Sequence, residues 1–292
     1  MKHDKGKIFA TLSQCPQKVV NGKRIEKTII ANTDDEHANY FLSFAADRKL
    51  GFGLKIAKVG VPNIFGKILN FNNQGIIFTV GDKKYELRIL GAFNVYNALA
   101  AIAVGESQGV TSEQIARGLA NVALVPGRME FIEVGQSFKV IVDYAHEPLS
   151  LTALFTTLRQ MVKPHNGRVI GVIGSDGGGR DINKRKKMGE IAGELCDYVV
   201  VTDVNCFDED PKIIAEMLAG GARQVGKKDG ENLFIKLERR QGIAHALSLA
   251  TAGDVVAVTA KGTEPCMCIA NGIKIPWDDR LIVRELLSIR MP

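Results

Sequence analysis

The feature that most restricts this chain is an alternation, through its second half, of short, wholly apolar runs with helical stretches. Val140-Ile141-Val142 precedes a helix over 148 to about 162, and residues 168–173 form a strand running into a glycine-rich turn before a helix over 183–195. A strand over 198–202 leads to a helix opened by Asp210-Pro211, and a helix over 239–250 precedes a strand over 254–259. Strands without a polar face must be covered on both sides, and repeated β-α units supply that cover, so the pattern predicts an α/β domain with a mainly parallel sheet. Ligands of such sheets sit at the carboxyl ends of the strands. That rule selects residues 143–146, 174–180, 202–205 and 260–264.

The part before this alternation reads differently. It begins as short strands with turns, Thr28-Ile29-Ile30-Ala31 being a strand candidate. Residues 75–80 and 85–90 flank the turn Gly81-Asp82 as a hairpin. An alanine-rich helix follows over 94–109, and Thr111 caps a second helix with Glu113 and Gln114 in its first turn. Val125-Pro126-Gly127 punctuates the chain, which places a domain boundary between 1–124 and 125–292. At 292 residues and 46% hydrophobic composition, each part can bury its own core.

The formal charge of +6 suits nucleic acid and small anions equally. The densest basic run, Lys184-Arg185-Lys186-Lys187, opens a helix instead of forming a nucleic-acid tract, so no nucleic-acid partner is expected. The five cysteines include no C-x-x-C pair; Cys266-x-Cys268 is the one close pair, and all five read as reduced thiols of a cytoplasmic protein. The start, Met1-Lys2-His3-Asp4-Lys5, has no signal-peptide apolar run, and nothing approaches the roughly 20 apolar residues of a membrane span. No membrane partner is expected.

Several strand-end motifs carry chemistry, each with a plainer reading beside it. In Gly174-Ser-Asp-Gly-Gly-Gly-Arg180-Asp181 the glycines let backbone amides approach an anion, and Arg180 can grip a carboxylate; a purely structural turn is as common. Asp143 and His146, in Asp143-Tyr144-Ala145-His146, can serve a sugar and a phosphate, or be a capping aspartate and a surface histidine. Lys261 and Glu264 can hold an amino acid, Glu264 through its ammonium, or simply be solvated. Asn94 and Asn97 share one helix face, unless Asn94 is merely a cap. Arg128, in Gly127-Arg128-Met129-Glu130, can meet phosphate or lie in a hinge.

In this order the segments resemble the Mur ligase family, most closely its tripeptide-synthetase branch. The matching motifs are Lys5-x-x-Ile8-Phe9, Gly91-x-Phe93-Asn94-x-x-Asn97, Gly127-Arg128-Met129-Glu130 and Asp143-Tyr144-Ala145-His146-x-Pro148. Further along come Gly179-Arg180-Asp181-x-x-Lys184-Arg185, Glu209-Asp210-Pro211, Lys261-Gly262-x-Glu264 and Asp278-Asp279-Arg280. The resemblance implies that 1–124 is the latter part of a central ATPase domain and 125–292 a Rossmann-like C-terminal domain. It implies an ATP-dependent ligase that adds the third amino acid to a UDP-linked muramoyl dipeptide in peptidoglycan synthesis, with ATP and Mg2+ as cofactors. ATP would phosphorylate the dipeptide carboxylate, and the incoming amine would displace phosphate. Lys5 falls where the family carries a carbamylated, magnesium-binding lysine, and Lys5 and His146 are the catalytic candidates. Asn94, Asn97, Arg128, Asp143 and His146 fall at ATP positions. Arg180, Asn205, Lys261 and Glu264 fall at amino-acid positions, Arg180 for the carboxylate and Glu264 for the amino group.

The chain departs from that pattern in four places. The phosphate loop G-T-x-G-K-T-[ST], which should precede the lysine motif, has no counterpart here. Without it the transferring phosphoryl group loses its main electrostatic support, so the chain by itself is expected to be inactive, either as half of a split ligase whose N-terminal half a separate chain supplies or as an incomplete gene product. The alternative is a non-catalytic nucleotide- or amino-acid-binding relative. Val204-Asn205-Cys206-Phe207 stands where diaminopimelate-adding members carry Asp-Asn-Pro-Arg, and Phe207 cannot pair with a distal carboxylate. Lysine or another amine is at least as plausible as diaminopimelate. Ala260 and Glu147 replace a family glycine and threonine.

Overall fold

The alternation in the second half folds as a sheet of parallel strands. The structure, a computed structural model, describes residues 2–55, 60–72 and 75–290. The chain divides into two compact units, Met1–Ala123 and Leu124–Pro292.

The first unit opens on a helix, α1 (Lys2–Gln14), followed by a small ribbon of β1 (Val19–Val20) and β2 (Lys23–Arg24). Then come β3 (Thr28–Asn32), α2 (Ala38–Leu42), β4 (Arg48–Gly53), β5 (Asn63–Asn72), β6 (Gly75–Val80) and β7 (Lys83–Leu87), and after them α3 (Asn94–Ser107) and α4 (Ser112–Asn121). The sheet runs β3-β4-β5-β6-β7, parallel through β5 and antiparallel beyond it. Phe78, Tyr85, Val95, Leu99 and Ile102 form its main core. The N-terminal expectation of strands is corrected at α1, where Gly6 packs so closely under Tyr40 that a Cβ would lie 2.3 Å from its hydroxyl. The hairpin strand β7 starts directly after the two-residue turn and ends at Leu87, earlier than expected. Thr111 does cap α4, in a reciprocal box with Gln114.

The second unit contains β8 (Glu130–Phe131), β9 (Lys139–Val142), α5 (Pro148–Val162), β10 (Val169–Ile173), α6 (Asn183–Leu195), β11 (Tyr198–Val201) and α7 (Pro211–Gln224). It continues with β12 (Leu233–Ile235), α8 (Arg239–Leu249), β13 (Val255–Val258), β14 (Cys266–Cys268), β15 (Lys274–Pro276) and α9 (Asp279–Arg290). The order is β12-β11-β10-β13-β9-β8, with β8 alone antiparallel. After stepping outward to β12 the chain returns through α8 to insert β13 between β10 and β9. In open α/β sheets such a reversal marks the strand ends at which ligands sit. Val140, Val172, Val200, Val256 and Val258 pack with Ile243 and Leu247 of α8 and Val283 and Leu287 of α9. Gly171 lies on the opposite face, flush against Phe155 and Cys196. Among the described residues no helix is long and apolar enough to cross a membrane.

Candidate active site

Four strand ends in the second unit are tied together by side chains. At the β11 end, Asn205 is buried and uses every polar position it has. Its Oδ1 accepts from Lys261 Nζ at 3.0 Å and the Cys268 amide at 2.9 Å; its Nδ2 donates to Asp176 Oδ1 at 2.8 Å and Glu264 Oε2 at 3.0 Å. Lys261 has no exposed surface, against the expectation of a solvated lysine, and also donates to Glu264 Oε2 at 2.8 Å. The other Glu264 oxygen accepts from the Tyr144 hydroxyl at 2.9 Å, reaching across to the β9 end. Burial pushes the Glu264 carboxyl up, but the bonds from Lys261 and Asn205 outweigh it and hold the group below the ordinary glutamate range.

Asp176 continues the chain to the β10 end, where its Oδ2 accepts from Arg180 at 3.1 Å. Arg180 is 58% exposed, with its guanidinium 5.8 Å from the centre of the Phe207 ring. It therefore spends one donor on the protein and keeps others for a ligand. Two residues here hold left-handed backbone that side chains resist: Phe207 at φ 51° and Ala260 at φ 85°. Ala260 occupies the position where the resemblance expects glycine, and its angle is one that glycine adopts without strain. Beneath the site, the buried pair Arg239–Asp279 joins at 2.8 and 2.7 Å, and Arg239 also reaches Thr202 Oγ1 and the Thr259 carbonyl. This clamps the ends of β11 and β13 to the start of α9.

Asp143 is buried, and its carboxylate is committed to backbone: Oδ2 accepts from the Met129 amide at 2.7 Å and Oδ1 from the Ala145 amide at 2.8 Å. Burial raises its proton affinity, and those two amides pull the other way. It thus anchors the turn carrying Met129 at φ 47°, and no helix N-terminus falls on it; the cap of α5 is Glu147. Arg128, on the same turn, is exposed and lies 4.5 Å from the Tyr144 ring centre, with no carboxylate partner among the described residues. Its five donors fit an anion. His146 Nδ1 lies 2.8 Å from the Tyr144 carbonyl, which can only accept, so the neutral ring carries its proton there and leaves Nε2 as an acceptor. Lys184, from the basic run that opens α6, is buried and donates to the His146 carbonyl at 3.1 Å and Glu147 at 2.7 Å. Arg185, from the same run, is fully buried on Glu209 and the Asp176 carbonyl.

The remaining candidates lie in the first unit. Asn94 begins α3 but does not cap it: its amide donates to the Leu90 carbonyl at 2.6 Å, and its Oδ1 accepts from Asn97 at 2.8 Å. The same end of α3 brings the Tyr96 hydroxyl to Asp34 at 2.8 Å, where burial and the carboxylate push the phenol up to about 12. Lys5 is exposed on α1, with no ion-pair partner among the described residues. Among those residues no three His, Cys, Asp or Glu side chains converge, and no catalytic step is assigned to a magnesium ion. Sequence reading missed the roles of Tyr144 and Asp176 as bridges, although both sit inside motifs it singled out.

Comparison with known proteins finds a family match in each unit. Residues 4–105 match the Mur ligase middle domain, and residues 127–262 match the domain described as Mur ligase, glutamate ligase domain. A UDP-N-acetylmuramyl-tripeptide synthetase of Roseiflexus sp. is 36% identical over 98% of this chain and 56% of its own length. A UDP-N-acetylmuramoyl-L-alanyl-D-glutamate--2,6-diaminopimelate ligase of Geobacillus kaustophilus is 34% identical over 99% of this chain and 56% of its own. The chain thus spans about half the length of the curated relatives it matches. A solved UDP-N-acetylmuramoyl-L-alanyl-D-glutamate--2,6-diaminopimelate ligase superposes with a TM-score of 0.52 at 26% identity, over 100% of this chain and 56% of that one. A UDP-N-acetylmuramate-alanine ligase from Thermotoga maritima shares the fold at a TM-score of 0.58 and 17% identity, over 90% of this chain and 51% of that one. With both of its units matched and relatives aligned along nearly its whole length, the chain belongs to the Mur ligase family.

Proposed function

We propose that this chain supplies the amino-acid-handling part of an ATP-dependent ligase that joins a third amino acid to a UDP-N-acetylmuramoyl dipeptide. The observation that carries this reading is the linked pair Glu264 and Arg180, one anionic and one cationic, held at neighbouring strand ends through Asn205 and Asp176. An α-amino acid offers the complementary pair, an ammonium beside a carboxylate. Arg180 receives the carboxylate, and Glu264 receives the ammonium. Arg128 presents unspent donors suited to nucleotide phosphate, His146 presents its Nε2 acceptor to a base or hydroxyl donor of the nucleotide, and Asp143 serves by fixing the turn that carries Arg128. Asn94 and Asn97 are assigned to nucleotide, and Lys5 to the carbamate role, by resemblance. Phe207 offers an aromatic face and no charge, which favours an amino acid such as lysine over one with a distal carboxylate.

Titration calorimetry tests the reading. Lysine and diaminopimelate are titrated into the chain, alone and with the upstream portion of the Roseiflexus relative supplied separately. Lysine is expected to bind, and Arg180→Ala and Glu264→Gln each to weaken it by roughly tenfold or more, the worth of a charge-assisted hydrogen bond. Ligase turnover with ATP is expected in the supplemented mixture. Binding without turnover there favours a non-catalytic relative. Absence of amino-acid binding in both settings sinks the proposal.

A further inference from the structure

Cys266 and Cys268 stand at the two ends of β14, both half-exposed, on either side of the buried Met267. Side chains two apart on a strand point to the same face, so both thiols look outward together. β14 pairs with β15 in a two-stranded ribbon, with Cys268 opposite Lys274 and Cys266 opposite Pro276. The sulfurs sense each other: burial and the neighbouring Cys266 raise the proton affinity of Cys268, while Lys274 and Lys261 lower it.

Two outcomes are open to such a pair, and geometry separates them. Residues two apart on an extended strand are about 6.6 Å apart, whereas a disulfide needs its Cβ atoms about 3.5–4.5 Å apart. A bridge would have to bend β14 out of its register with β15. A metal ion needs no such movement. Metal–thiolate bonds of about 2.3 Å on either side of an ion let the sulfurs stand up to about 4.6 Å apart. Among the described residues no third His, Cys, Asp or Glu joins the pair, which selects a low-coordinate ion, and paired thiolates select a soft one. We propose that Cys266 and Cys268 form a two-thiolate binding site for a soft monovalent cation of the copper(I) class. Binding releases two S–H protons to solvent and forms two sulfur–metal bonds, with no change of oxidation state. The complex carries one net negative charge, and the Lys274 ammonium across the ribbon offsets it. The Cys268 amide also holds Asn205 Oδ1, so the occupied ribbon adjoins the candidate active site. The proposal stands independently of the ligase reading.

The test is anaerobic titration of the reduced chain with copper(I) against a chromophoric copper(I) chelator, following the ultraviolet sulfur-to-copper charge-transfer band. One equivalent is expected to bind tightly. Cys266→Ser and Cys268→Ser should each weaken it by roughly a hundredfold, the gain that a second tethered donor confers. A chain with Cys15, Cys196 and Cys206 all changed to serine should retain it. Should any variant misfold, wild-type protein with one equivalent of copper(I) is alkylated with iodoacetamide and mapped by mass spectrometry. Protection of Cys266 and Cys268 together, with the exposed Cys15 alkylated, supports the site. Protection of other thiols, or undiminished affinity in either single variant, overturns it.

Discussion

Lys261 carries its ammonium into a place from which water is excluded, and it is Glu264 and Asn205 that make this tolerable. Lys261→Met keeps the volume of the side chain but leaves the Glu264 carboxylate and the Asn205 carbonyl each short of a donor. The loss of a buried ion-pair partner outweighs the relief of desolvating an ammonium, and the partial exposure of Glu264 tempers it, so the change should cost about 1–3 kcal/mol in urea unfolding. Adding Glu264→Gln should recover part of that loss, because an amide oxygen still accepts from Tyr144 without a charge to satisfy; a fully additive double variant would contradict the coupling. Glu264 also sets a pH dependence. Its folded pKa lies below the ordinary 4.5, so below that pH the unfolded chain binds more protons than the folded one. Its contribution is complete above about pH 4.5 and is lost as pH falls through the folded value. Glu264→Gln should therefore flatten the acid limb of a stability–pH curve; an unchanged slope would show that the carboxylate is not held in this way.

At the scale of elements, α6 and α7 meet almost backbone to backbone. A Cβ on Gly221 would lie 2.0 Å from the Lys186 carbonyl oxygen, and one on Gly189 would lie 1.8 Å from that of Leu218. Gly220, next to Gly221 on α7, has nothing within 4 Å of its would-be Cβ. Alanine gains roughly 1 kcal/mol over glycine inside a helix, whereas forcing a methyl into a closed backbone contact costs about 1–3 kcal/mol or more. Gly220→Ala should raise the melting temperature and Gly221→Ala should lower it, and equal shifts would contradict this packing. The same helices show what local sequence can reveal. α5 and α6 lie where apolar periodicity and Pro148 place them, because their signals are complete within a dozen residues. α1 was unreadable: it carries an internal glycine, few buried residues and no capping signal, and its place depends on Tyr40 and Phe41 far along the chain. β12 is three residues long and exists because β11 offers it a parallel partner. α9 did carry a legible mark, the pair Val283 and Leu287 one turn apart. For the site, the strand-end rule located Asn205, Arg180, Lys261 and Glu264, but no local pattern joins Tyr144 to Glu264, 120 residues away.

For the molecule as a whole, the question is which properties belong to one unit and which need more. Each unit owns a core: Ile64 to Ile115 in the first, Ile132 to Leu287 in the second. Residues 121–126, which join them, are all exposed. Among the described residues, every hydrogen bond of the cluster formed by Tyr144, Asp176, Arg180, Asn205, Lys261 and Glu264 is made within Leu124–Pro292. The clamp beneath it, Arg239 on Asp279, lies within the same unit. A six-stranded sheet covered on both faces buries enough apolar surface to fold at this size. A protein consisting of residues 124–292 should therefore unfold in one cooperative transition and keep the near-ultraviolet dichroism of Trp277, whose indole donates to Asp279 at 2.7 Å. If Arg180 and Glu264 receive the amino acid, this fragment should bind lysine within about threefold of the whole chain, since both residues lie within it. Calorimetry on the two proteins side by side separates the cases: a fragment that folds cooperatively yet loses lysine would show that the first unit contributes directly to the amino-acid site.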